Sequence, residues 1–252
     1  MSRLATVVVA VAASVLLLFL AAPLAELVLS GGRQGLHALG SDAELRDALV
    51  LTAATATTAT LLGLLAGTPI AYVLARRAFP GRAALAALLD LPVLIPHPVA
   101  GIALLLALGR HTAVGSALFA AGLRITGTPT GIVSAMLFVS CPLYLSAARE
   151  TFDRVDARFE TVARTLGDPP WRVFRRVTLP LASRGLVAAA VIMWARAVSE
   201  FGAVVILTYN PQVASVLSYD RFTTYGLPGA LPVAAVLVLL ALIPLAVLHR
   251  LR

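Results

Sequence analysis

The sequence predicts an all-α polytopic membrane protein with six transmembrane helices, on three observations. Of its 252 residues, 60% are hydrophobic and 13% are charged, about half the ~25% charged share of an ordinary soluble domain. The apolar residues fall in blocks long enough to cross hydrocarbon as a helix, which takes ~20 residues. The arginines gather beside these blocks, with a strong bias towards alternate connecting segments. One transmembrane domain over residues 1–252 accounts for all of this, with a charged loop at 149–184 inside it.

The first block runs from Leu4 to Leu29, interrupted by Pro23 and Glu26. Arg3 before it gives it the look of a secretory signal, but the apolar core of a signal is only ~7–15 residues. The longer run here reads as a span. The second, about Leu49 to Leu74, carries Gly63 and Gly67 at GxxxG spacing and the hydroxyls of Thr52, Thr55, Thr57, Thr58 and Thr60, features that let membrane helices pack closely. The third, between Ala83 and Leu108, is broken by Pro92, Pro96 and Pro98, with His97 between the last two and Asp90 expected to pair near the inner end. The fourth runs from about Thr130 to Ala148, the fifth from Leu186 to Leu207 and the sixth from Ala230 to Leu248.

Arginine placement orients the spans. Arg3, Arg76, Arg77, Arg82, the eight arginines from Arg149 to Arg184, Arg250 and Arg252 fall in one set of segments; Arg33, Arg46, Arg110, Arg124 and Arg221 fall in the other. The positive-inside rule puts the richer set in the cytoplasm. Both termini are then cytoplasmic, as an even number of spans requires, in a multi-pass protein of the inner or plasma membrane. The formal charge of +8 is accounted for by topology, so no nucleic-acid partner is expected.

Several absences narrow the function. All 20 basic residues are arginine, so the chain has no Walker A lysine for the β/γ-phosphates and no Schiff-base lysine. Cys141 is the only cysteine, and His37, His97, His111 and His249 form no HExxH motif. No internal disulfide, cysteine-based zinc site, cofactor or enzymatic activity is expected.

The segment from Arg149 to Arg184 is long, densely charged and still patterned. Phe152, Val155, Phe159, Val162, Ala163 and Leu166 recur at helical spacing. Gly167 ends that helix, Asp168-Pro169-Pro170 reads as the cap and start of another, and Leu179-Pro180 as its stop. An interfacial helix on anionic lipid is one reading of such a segment. Glu150, Asp153, Asp156, Glu160 and Asp168 among the arginines fit a protein partner better.

Glu160-Thr-Val-Ala-Arg-Thr-Leu-Gly167, followed by Val177-Thr-Leu-Pro180, resembles the "EAA" coupling motif of binding-protein-dependent ABC importer permeases. Ala163, Gly167, Leu179 and Pro180 match in register, and Val177 replaces the family's Ile. Thr161 stands at the family's Glu and Val162 at the following Ala, with Glu160 one residue early. Ala71–Gly81, Leu91–Ile102 and Trp194–Val205 are similar to oxyanion-importer permeases; the last of these, with Tyr209-Asn-Pro and Val216–Leu227, is most similar to the molybdate/tungstate branch. The matches cover roughly Thr52 to Leu240.

The resemblance implies a type I ABC importer transmembrane-domain fold and a channel-forming subunit driven by a separate ATPase. It implies two ATP-binding cassette subunits that receive Glu160, Ala163, Gly167, Leu179 and Pro180, and an extracytoplasmic substrate-binding protein that docks on Gly31–Asp47, Gly109–Gly127 or Tyr209–Pro228. A second copy is expected about a two-fold axis, because six spans do not enclose a gated path alone. Arg196, Ser199, Glu200, Phe201 and Gly202 on the fifth span, with His97, are the candidates for the pathway and gate. A charge inside hydrocarbon costs ~2.5–3.5 kcal/mol, and Arg196 and Glu200, four apart, can pair on one helix face. That pair reads either as a packing lock or as part of the pathway. His97 reads either as a donor at a proline kink or as part of a gate. Molybdate or tungstate is the expected cargo, with sulfate or thiosulfate as the alternative. A secondary transporter or channel would leave the 149–184 loop unexplained, and an intramembrane enzyme would need a catalytic motif that is absent.

Overall fold

A computed structural model describes residues 3–251 and leaves Arg252, counted above with the cytoplasmic set, outside the described residues. The elements are α1 (Arg3–Ser41), α2 (Ala43–Arg76), α3 (Arg82–Leu94), α4 (His97–Leu108), α5 (Ala113–Ala120), α6 (Pro129–Arg154), α7 (Ala157–Thr165), α8 (Pro170–Val173), a π-helical turn (Phe174–Thr178), α9 (Leu179–Val198), α10 (Gly202–Leu207) and α11 (Ala214–Leu251). Five stretches of helix are long and apolar enough to cross a membrane, and α3 with α4, bent by 115°, makes a sixth.

The bent pair has to be a crossing. On α2, Gly63 lies near Leu137 of α6 and Gly67 against Tyr144, while Tyr72 packs its ring on Phe152. Contacts that advance together along both helices make α2 and α6 parallel, so the chain returns between them through α3 and α4. The bend has a local cause. Ile95 precedes Pro96 and is extended (φ −85°, ψ 145°), the conformation imposed on a residue before proline. Pro92, by contrast, stays inside α3.

Small residues set the packing. A Cβ on Gly67 would lie 3.0 Å from Tyr144, and Gly63 sits under Met193 of α9, so the two predicted glycines admit two different neighbours. A second pair at the same spacing does this for α1: a Cβ on Gly31 would lie 2.6 Å from the Leu231 carbonyl oxygen, and one on Gly35 2.6 Å from that of Pro232. The α2 hydroxyls are satisfied within the helix, Thr52, Thr55 and Thr60 donating to carbonyls four residues back at 2.6–2.8 Å. Thr52 also accepts the Ala214 amide at 2.9 Å and so fixes the start of α11.

Three expectations are corrected. The fifth span does not run to Leu207: its helix ends at Val198, and α10 follows after a break at Ser199–Phe201. Leu179-Pro180 does not stop a helix, because the helical path continues from Pro170 to Val198 through the π turn. Pro180 has no N–H to donate four residues back, and the wider ladder, Leu179 N–H to the Phe174 carbonyl, accommodates it. The third concerns the bounds of the first and sixth spans: α1 continues past Leu29 to Ser41, and α11 begins at Ala214, before Ala230, with one non-helical residue, Gly226 (φ 71°), between.

Candidate functional site

Two groups of side chains lie at opposite ends of α9, a 20-residue helix and hence ~30 Å long. The first surrounds Glu160. Asp156 caps α7 by accepting the Arg158 amide at 2.9 Å, and the helix ends in a Schellman closure. Gly167 (φ +92°) donates to the Arg164 carbonyl at 3.0 Å and Asp168 to that of Ala163 at 3.1 Å. Asp168 does not cap α8; it accepts from Arg172 at 3.0 Å.

The apolar pattern of this segment divides between two faces. Phe152 is buried, Ala163 nearly so, and Phe159, Val162, Leu166 and Trp171 are 56–83% exposed. Glu160 turns inward and is only 2% exposed. Its Oε1 accepts from Arg76 Nε at 2.9 Å and Thr178 Oγ1 at 3.0 Å; its Oε2 accepts from Tyr72 Oη and Arg164 Nη2, both at 3.1 Å. Arg76 also donates to the Val155 carbonyl at 2.7 Å. One carboxylate thus ties α7 to the end of α2 and to the π turn. Phe174 extends the brace, its ring 4.8 Å from Tyr72 and 5.8 Å from Trp171. Leu179 and Pro180 follow Thr178 directly, so all five expected coupling residues belong to this knob or its root.

Burial pushes the Glu160 carboxyl up, but hydrogen bonds from Arg76 and Thr178 outweigh it and hold the group below its ordinary value of 4.5. A depressed folded-state value stabilises the clamp fully above the ordinary value and is lost as pH falls through the lowered one. Protease protection of residues 155–170 is therefore expected to persist down to pH 4.5 and to fail only below it; failure at a higher pH would contradict the clamp.

The second group lies where the two helix breaks meet. Arg196 Nη2 is 2.6 Å from Glu200 Oε2 and 2.8 Å from the ring nitrogens of His97. His97 Nδ1 is 3.2 Å from the same carboxylate oxygen. Glu200 is fully buried; its Oε1 accepts the Ala203 amide at 2.8 Å, and its carbonyl accepts from Ser215 at 2.7 Å. Arg196 Nη1 donates to Ser199 at 3.3 Å. Phe201 packs on Tyr219 at 5.1 Å between centroids. A Cβ on Gly202 would lie 2.8 Å from that of His97 and 3.1 Å from the Pro98 nitrogen.

All six expected pathway residues are brought together, across about 100 residues of sequence (His97 to Arg196). The carboxylate locks the break, and the partly exposed edges are Arg196 and His97, 20% and 40% accessible at their side chains. Gly202→Ala is expected to push apart the two breaks at a cost of ~1–3 kcal/mol, read as a lower melting temperature of the purified complex.

Asp90 departs from expectation: it accepts from Ser146 of α6 at 2.9 Å and joins no ion pair among the described residues. In the sequence Arg76 stands out only as a topological charge, and Tyr72 and Thr178 do not stand out at all. The signal available for them was Glu160 itself, a carboxylate on a patterned helix directly after a span. Among the described residues, no three His, Cys, Asp or Glu side chains converge as a metal site.

Residues 59–251 match the family described as "Binding-protein-dependent transport system inner membrane component". The chain is 44% identical over 188 residues to the molybdate/tungstate transport system permease protein of Thermococcus kodakarensis, covering 75% of this chain and 71% of that one. It is 35% identical over 185 residues to the molybdenum transport system permease protein of Escherichia coli, covering 73% and 81%. The crystal structure of a bacterial ABC transporter involved in import of the acidic polysaccharide alginate superposes with a TM-score of 0.73 at 18% identity, over 98% of this chain and 93% of that one. That likeness establishes the type I importer fold.

Proposed function

This chain belongs to the family of binding-protein-dependent transport system inner membrane components, and from that premise we propose that it is the channel-forming subunit of an ATP-driven importer for molybdate or tungstate. A homodimer of this chain would sit on two ATP-binding cassette subunits, receive cargo from an extracytoplasmic binding protein, and keep both termini in the cytoplasm. The observation that carries the reading is the knob built from α7 and α8, which shows four large apolar side chains to solvent while Glu160 and Phe174 fasten it to α2 and the root of α9. A surface that apolar on a charged loop calls for a protein partner, and its rigid attachment lets a push from that partner move the spans together. The breaks beside Arg196 and His97 supply the element such a push would open or close.

The cargo reading rests on the similarity to molybdate and tungstate permeases. It is tested by the partner binding protein, whose affinity for molybdate or tungstate is expected to exceed that for sulfate by well over an order of magnitude. A preference for sulfate would overturn the cargo and leave the architecture. Co-purification tests the class: an ATPase subunit is expected to elute with the tagged chain, and elution of the chain alone would contradict the reading.

A further inference from the structure

The connection between α4 and α6 takes in Gly109–Gly127, one of the three segments expected to dock the binding protein, and carries two arginines to which that expectation gives no role. It lies at the start of α6 and so at the opposite end of that helix from the α7 knob. From Leu91 to Arg149 the chain contains no aspartate or glutamate. Arg110 follows α4 and Arg124 follows α5, yet both reach one ring: their guanidinium carbons lie 4.3 and 5.5 Å from the centroid of Phe119. Among the described residues neither guanidinium enters an ion pair. The ring face attracts both cations, but they repel each other, and an anion between them would remove that repulsion.

Their backbones are held in place. Thr112 caps α5, accepting the Gly115 amide at 3.0 Å and donating to the Gly109 carbonyl at 2.9 Å. Thr128 donates to the Arg124 carbonyl at 2.6 Å. Both arginines, Phe119, Gly115 and Thr126 line a notch of about 290 Å³, room for an oxyanion group and several waters at ~30 Å³ each. Leu108, Leu123 and Ile125 also line the notch, Leu123 being 48% exposed, and Leu106 on α4 and Val114 on α5, two and one residues in sequence from the lining residues Leu108 and Gly115, are 73% and 55% exposed. The positive-inside bias works against arginine at this end, so the two charges are there despite topology.

We propose that this notch binds a phosphate-class oxyanion group, supplied by the headgroup of an anionic phospholipid. Planar guanidinium forks match phosphate oxygens, and the apolar surface beside them is where acyl chains would begin. A free oxyanion shares the headgroup chemistry but has no use for that apolar surface.

The test is native mass spectrometry of the detergent-purified complex after delipidation, with phosphatidylglycerol or phosphatidylcholine added back, with and without excess inorganic phosphate. Wild type is expected to bind phosphatidylglycerol about tenfold more tightly than phosphatidylcholine, with phosphate unable to displace it. Arg110→Gln/Arg124→Gln is expected to lose that preference, and each single variant, altering one exposed side chain, to lose most of it. Binding of inorganic phosphate without a phosphatidylglycerol preference would overturn the lipid assignment in favour of a free anion. An unchanged preference in the variants would overturn the site.

Discussion

Arg196→Ala is expected to abolish uptake while the complex still assembles. The guanidinium is the only cation among the described residues within ion-pair distance of the buried Glu200, apart from His97 if protonated, and removing one partner of a buried pair costs ~3–5 kcal/mol. Part of that loss is structural, because Glu200 also holds the start of α10 through Ala203. The double variant Arg196→Ala/Glu200→Gln separates the two contributions. It no longer buries an uncompensated charge, and the neutral amide oxygen can still accept from Ala203, so its melting temperature should recover most of the loss. If Arg196 meets cargo at the pathway, uptake stays absent in the double variant. Recovery of uptake together with stability would reduce the pair to a packing lock.

Glu160→Gln has the second largest expected effect, and its signature differs. The substitution keeps the shape of the side chain but removes the charge that Arg76 and Arg164 share, and charge-assisted hydrogen bonds are about twice as strong as neutral ones. The knob keeps its exposed Phe159, Val162, Leu166 and Trp171, so the ATPase subunit should still bind and hydrolyse ATP. What fails is transmission to α2 and α9. The expected readout is uptake per ATP hydrolysed falling by about tenfold or more, equivalent to ~1.4 kcal/mol of lost coupling. Loss of ATPase binding instead would mean that Glu160 acts at the contact surface, contrary to its burial.

The spans were legible because lipid imposes a length and a polarity that few other environments demand. The α7 knob was legible for a related reason: Phe159, Val162 and Leu166 keep helical spacing among charges, and Gly167 stops them with a left-handed residue. What periodicity could not reveal was which apolar positions turn inward, because Phe152 and Phe159 look alike in sequence and only the first is buried. The break after Val198 was hidden because Ser199-Glu200-Phe201 contains neither proline nor glycine; the helix ends there through a tertiary arrangement, Ser215 donating to the Glu200 carbonyl and His97 and Pro98 packing against Gly202. Pro180 misled in the opposite sense, since the π turn just before it accommodates the missing N–H and lets the helix run on. The meeting of His97 with Arg196 depends on the 115° bend, whose prolines were visible but whose direction was not.

In the proposed importer the α7 knob is the contact with an ATPase at the cytoplasmic face. The most direct measurement is site-specific disulfide trapping in inside-out vesicles, after replacing Cys141, the sole native cysteine, with alanine. Leu166→Cys, on the most exposed apolar position of the knob, is expected to crosslink to a cysteine scanned along the ATPase subunit surface, with nucleotide changing the yield, while a cysteine at Val114 on α5, in the connection that precedes α6, gives none. Leu166→Cys that reacts with impermeant thiol reagents only from the outer side of the membrane, or that crosslinks to no ATPase position, would contradict the account.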